Sequence, residues 1–278
     1  MSLASALQQI HQVRRLVPPG LVPVVVQRRL ERLWQNADYR AMQEAEMEFL
    51  LGKSERAGEV PQLAYDYTEQ MLIRSFMRWH PGVITHQRIK GLDILTDRDR
   101  SRGTILSFMH HHRYEAMFAA IVNAGGPRST MVVSEAITRP EAGAALQQHI
   151  RVARRGGDLV NAEVGTKGLA ARLIPGAVLG LAIDFPGRTE VEFLGRRVLA
   201  PSGTPRLAAM TDSPIILLTH RRDEQGPYVQ VHEPIEPSDY TDTHDLLVEL
   251  LDRHAEAILA WPEALESPTA RFGRIDAA

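Results

Sequence analysis

The chain has no cysteine. That absence removes disulfide staples, a thiolate nucleophile and cysteine-ligated metal, and it fits a cytoplasmic address. Lysine is scarce too, standing only at Lys53, Lys90 and Lys167, so arginine carries nearly all the positive charge. The formal net charge of -2 at pH 7 argues against general binding of nucleic acid or other polyanions. No uncharged apolar run approaches the roughly 18 to 20 residues that span a bilayer. The longest run near the start, residues 16–27, is broken by Pro18, Pro19 and Pro23, and no small-residue cleavage site of a signal peptide follows it. Internal repeats and low-complexity tracts are lacking as well. The expectation is a cytoplasmic protein, soluble or peripheral at the inner face of the cell membrane.

What is present suits one large α/β unit: 278 residues, 44% hydrophobic, enough to bury a core without metal or disulfide. Residues 1–80 read as helices over 3–16, 23–34, 37–51 and 61–79, with apolar residues three and four apart and proline or glycine between segments. Residues 1–35 hold Arg14, Arg15, Arg28, Arg29 and Arg32 against Glu31. Such a basic amphipathic opening suits an anionic membrane, an acidic carrier protein, or simple packing on the core.

From residue 81 strands and helices alternate. Strands are expected at 83–89, 104–109, 129–133, near 159, at 177–183 and at 214–219, with a hairpin over 190–199 turning at Gly195-Arg196 and an edge strand at 228–232. Helices are expected at 92–99, 113–123, 140–155, 168–173, 202–211 and 243–260. This pattern predicts a mostly parallel central sheet with helices on both faces, preceded by an N-terminal helical segment (1–80) that packs on or covers the core (81–278).

The chemistry concentrates in residues 103–118, GTILSFMHHHRYEAMF, where an apolar strand runs into three histidines and then into a helix. The carboxyl end of a strand is where open α/β folds place their sites. His110 and Glu115 are five residues apart, a step of about 500° on a continuous helix, so they meet only if the chain turns between them. A carboxylate on one imidazole nitrogen would fix the tautomer and free the other to take a proton from an alcohol or amine. Amides at the helix start, with a nearby cation, would serve a developing oxyanion.

The run His110-His111-His112-Arg113-Tyr114-Glu115 resembles the His-x-x-x-x-Asp/Glu box of the glycerolipid acyltransferase superfamily. Within it, the run is most similar to the branch of the bacterial lipid A secondary acyltransferases and the mycobacterial phosphatidylinositol mannoside acyltransferases, often His-x-Gly-Asn-Trp-Glu. His110 and Glu115 match, Tyr114 is an aromatic substitute, and His112 and Arg113 depart. Further blocks keep the superfamily's order over residues 80–262. IDFPGR (183–188) is similar to the Phe-Pro-Glu-Gly box without its Glu, residues 191–209 resemble a turn and helix of the lipid A branch, and SPIIL (213–217) resembles a Pro-Ile strand. Trp261-Pro262-Glu263 resembles the branch's ending but lacks its Gln-Trp.

The resemblance implies an acyltransferase that moves an acyl chain from an acyl thioester, on coenzyme A or an acyl carrier protein, to a hydroxyl or amine of a lipid, glycolipid or biosynthetic metabolite. His110 would be the base and Glu115 its orienting acid, with no cofactor beyond the donor. Asp184 and Arg188, with Arg113 and Lys167, are the candidates to hold the substrate, the cations for the phosphate or pantetheine of the donor. Asp184 could instead cap a turn, and Arg188 pair with Asp184 or Glu190. Two other readings stay open: a metal-dependent hydrolase using His110 and His112 with His86, His149 or His220, and a catalytically silent acyl-binding protein.

Overall fold

The computed structural model describes residues 13–274. The first expected helix, residues 3–16, lies mostly outside the described residues; only 13–16 are described, as a helical turn. Helices α1 (Val22–Trp34), α2 (Ala37–Leu51) and α3 (Val60–Met77) follow close to their expected bounds. Their starts have local causes. Pro23 and Pro61 stand in first turns that need no backbone N–H, and the Asn36 side chain accepts from the Tyr39 amide at 3.0 Å.

Besides short helical turns, among them Leu92–Thr96, Glu135–Thr138 and Pro268–Arg271, the remaining elements in chain order are β1 (Arg88–Lys90), β2 (Thr104–Phe108), α4 (Tyr114–Asn123), β3 (Thr130–Val133), α5 (Ala144–Ala153), β4 (Leu159–Asn161), α6 (Gly165–Ala170), β5 (Val178–Ala182), β6 (Thr189–Phe193), β7 (Arg196–Ala200), α7 (Gly203–Thr211), β8 (Ile215–Asp223), β9 (Gly226–Val231), α8 (Thr243–Ala260) and β10 (Gly273–Arg274). Seven strands make one sheet in the order β1-β9-β8-β2-β5-β3-β4. Five neighbours, from β8 to β4, run parallel, while β9 lies antiparallel to β8 and carries β1 parallel to itself. A small second sheet has the order β10-β7-β6; its hairpin turns at Gly195, whose φ of 70° suits glycine.

Alternation along the central strands divides the core. Ile105, Ile215 and Leu217 join α2, α3, α7 and α8 on one face, while Leu106, Phe108, Ile216 and Leu218 meet Met117, Phe118 and Ile121 of α4 on the other. Phe118 can approach β5 closely because Gly180 has no side chain; a Cβ there would sit 2.7 Å from its ring. Two expectations are corrected. Residues 83–89 are not one strand: Pro81 starts a helical turn, Pro81–Ile84, closed when the Thr85 hydroxyl donates to the Pro81 carbonyl at 2.7 Å, and β1 begins only at Arg88. The strand at 228–232 is not the edge, since β1, three residues without a readable period, covers it.

Candidate active site

In the parallel ladder Phe108 of β2 stands opposite Ala182 of β5, and the Ile183 amide donates to the Phe108 carbonyl at 3.0 Å. Each chain then runs on to the second residue past that pair, His110 on one side and Asp184 on the other. One oxygen of Asp184 accepts from the His110 backbone N–H at 2.8 Å, and the other lies 2.7 Å from ring Nδ1. This bidentate contact assigns the proton to Nδ1 and leaves Nε2 as the nitrogen able to accept one. Burial alone would raise the Asp184 carboxyl, but the charge and hydrogen bonds of His110, with Arg271 3.7 Å away, hold it below the usual range. Tyr114 and Phe185 meet the His110 ring edge-on, with centroids 4.3 and 4.9 Å away.

The expected His110–Glu115 contact is therefore corrected: the carboxylate on the imidazole is Asp184. His110 turns toward β5, whereas the first turn of α4 packs on α3. There Glu115, 3% exposed, lies 3.1 Å from Arg74 and 3.6 Å from Arg78. Burial opposes its charge, but Arg74, then Arg78 and His149, lower its pKa to about 2. From Glu115 a line of alternating charge runs through Arg74, Glu266 (3.4 Å) and Arg271 (2.5 Å) back to Asp184.

His110 lines a cleft of about 410 Å³, together with Tyr114, Phe118, Met131, His149, Phe185 and Arg271. Burial, opposed by the charge of Glu115, takes the His149 pKa down to about 4. A second chamber of about 350 Å³, largely apolar, adjoins the cleft and reaches Leu169 and Pro201; Val132, Ala182 and Phe185 line both. Of the expected substrate-binding residues only Asp184 is at the site, and it holds His110 rather than standing free for substrate. Lys167 and Arg188 are exposed and line neither chamber, and Glu190 is taken by Arg197. Arg113 lines a separate hollow of about 30 Å³ beside Met71 and His112.

Of the expected metal ligands only His149 shares the cleft of His110. His111 reaches the Trp261 carbonyl at 2.8 Å, and His112 and His220 pack at 5.4 Å beside Trp261. Among the described residues, the one group of three with metal-ligand spacing is the exposed Asp242, His244 and Asp245, which includes none of the expected ligands. His112 has φ 49°: the chain turns left-handed at the position where the related box has glycine. The residues that sequence reasoning missed are Arg74, Arg78, Glu266 and Arg271. The four-residue step from Arg74 to Arg78 on α3 was the one local signal; the other two come from a tail with no readable motif.

Residues 68–265 match the family model described as bacterial lipid A biosynthesis acyltransferase. No curated protein sequence matches the chain. Among solved structures, the 1-acyl-sn-glycerophosphate (LPA) acyltransferase PlsC from Thermotoga maritima is similar over 78% of this chain and 96% of its own, at 9% identity and a TM-score of 0.38.

Proposed function

The chain belongs to the bacterial lipid A biosynthesis acyltransferase family, and from that footing we propose that it transfers an acyl chain from a thioester of coenzyme A or an acyl carrier protein to a hydroxyl or amine, with His110 as general base and Asp184 as its orienting acid. The observation that carries this is the double contact of Asp184 with the His110 backbone and ring. With Nδ1–H held, Nε2 takes the proton of the acceptor O–H or N–H as that atom attacks the thioester carbonyl. The tetrahedral oxyanion then collapses, the C–S bond breaks, and the leaving thiolate takes the proton back from the imidazolium. Asp184 stabilises that imidazolium without being protonated.

Arg78 and Arg271, the cations lining the cleft, are assigned to the developing oxyanion. The two adjoining, mostly apolar chambers, which share a wall, offer room for an acyl chain, which supports an acyl donor over a small polar one. The acceptor is a lipid, a glycolipid or a biosynthetic metabolite. The test is transfer from a panel of acyl thioesters followed by mass spectrometry. Loss of transfer in His110→Ala and Asp184→Asn, with both proteins folded, is expected; full transfer by His110→Ala would refute the assignment of the base.

A further inference from the structure

Helix α5 lines two separate pockets. His149 and Leu146 turn toward the cleft, whereas Gln148 and Arg151 line a separate pocket of about 210 Å³ with Arg155, Trp79 and Arg15. No carboxylate lines this pocket, and Arg15, Arg151 and Arg155 form no ion pair among the described residues. Arg14, the chain neighbour of Arg15, lies over the Phe76 ring at 5.6 Å with its Nε buried and unpartnered. Burial, then the charges of Arg29 and Arg78, lower the pKa of that guanidinium, which stays charged. Three arginines lining one pocket without a carboxylate suit an anion by charge complementarity. The volume equals about seven waters at roughly 30 Å³ each, the scale of a phosphate group with its immediate substituents.

The surroundings of the pocket identify the source of the anion. Leu16, Leu21 and Val24 stand 79%, 54% and 53% exposed on the same N-terminal segment. Arginine and tryptophan beside protruding aliphatic side chains are the composition of a bilayer interface. An acidic protein surface would answer the arginines and leave the aliphatic groups in water. We propose that the pocket of Arg15, Gln148, Arg151 and Arg155 binds the headgroup phosphate of an anionic membrane phospholipid, with Leu16, Leu21 and Val24 inserted among neighbouring acyl chains. Because α5 also lines the cleft, this contact would fix the active site relative to the membrane. The inference does not rest on the His110 mechanism.

The test is co-sedimentation of the full chain with vesicles in the absence of thioester. One set is phosphatidylcholine; the other carries about one anionic phospholipid in five, where each arginine near the surface contributes roughly fivefold to binding. The wild type is expected to sediment with the anionic set only. Arg151→Gln/Arg155→Gln should lose about tenfold or more, Leu16→Ser/Val24→Ser should also weaken binding, and His110→Ala should bind as the wild type does. Circular dichroism checks that each variant is folded. Equal binding to neutral vesicles, or a double arginine variant that sediments unchanged, overturns the proposal. So does a chain that takes up inorganic phosphate, or an acidic carrier protein, in calorimetry but no vesicle.

Discussion

Asp184 grips His110 twice, by the backbone N–H at 2.8 Å and by ring Nδ1 at 2.7 Å, across two adjacent parallel strands. Replacing it by asparagine puts an NH2 group against one of two donors. Asp184→Asn is therefore expected to lower kcat for acyl transfer about a thousandfold or more, as His110→Ala should, with KM for the thioester changed far less. Steady-state kinetics of the two variants check this, and near-wild-type kcat in Asp184→Asn would remove the dyad.

Glu115→Gln should behave differently. It strips the buried Arg74, 6% exposed, of its main counter-charge, a loss of about 3 to 5 kcal/mol and so roughly 10 °C in melting temperature. Because the Glu115 pKa falls from 4.5 to about 2 on folding, its contribution is fully present above pH 4.5 and is lost as pH falls toward 2. Scanning calorimetry between these limits should show a flatter acid dependence in the variant. Wild-type melting with abolished transfer would return Glu115 to the catalytic step.

The buried histidines set a second acid dependence. Burial, the largest effect in both cases, lowers His111 to about 4 and His254 to about 3 from 6.5. Between pH 6.5 and these values the unfolded chain binds protons that the folded chain does not, so stability must fall as pH falls through that window. His254→Gln should remove about one proton from the slope, 1.4 kcal/mol per pH unit, read from urea midpoints at a series of pH values.

At His112 the backbone φ of 49° strains any residue with a Cβ by roughly 1 to 2 kcal/mol. Both His112→Gly and His112→Ala lose the packing on Trp261 and His220, but only glycine relieves the turn. The glycine variant should therefore be the more stable of the two by about 1 kcal/mol in denaturant unfolding. Equal stability would mean that the strain is not stored at this turn.

Ala182 lines both chambers. If the acyl chain runs from one into the other, Ala182→Leu should narrow the passage and shift preference toward shorter thioesters, with kcat/KM for long chains falling about tenfold or more, the scale of one or two methylenes refused. A chain-length profile measured with the wild type and the variant decides it.

Much of this architecture is legible in the chain. Proline placement and 3.6-residue periodicity marked α1, α2 and α3, and continuous apolar runs marked β2, β5 and β8, because those signals are local. One short strand escaped: β1 is three residues long, too short to carry a period, and its partner β9 therefore looked like an edge. The basic N-terminal stretch was visible as composition, yet the pocket it forms with α5 draws on residues more than a hundred positions apart.

By itself the sequence determined the family, the strand-to-helix turn that carries the site, and His110 as the residue to watch. It could not choose the acid. The nearest carboxylate in the chain, Glu115, lies on a helix whose first turn faces Arg74 and Arg78, while Asp184, 74 residues away, is brought opposite His110 by the register of two parallel strands. Register is set by which apolar faces pack on which helices across the whole sheet, so which carboxylate meets His110 was decided only when the core closed.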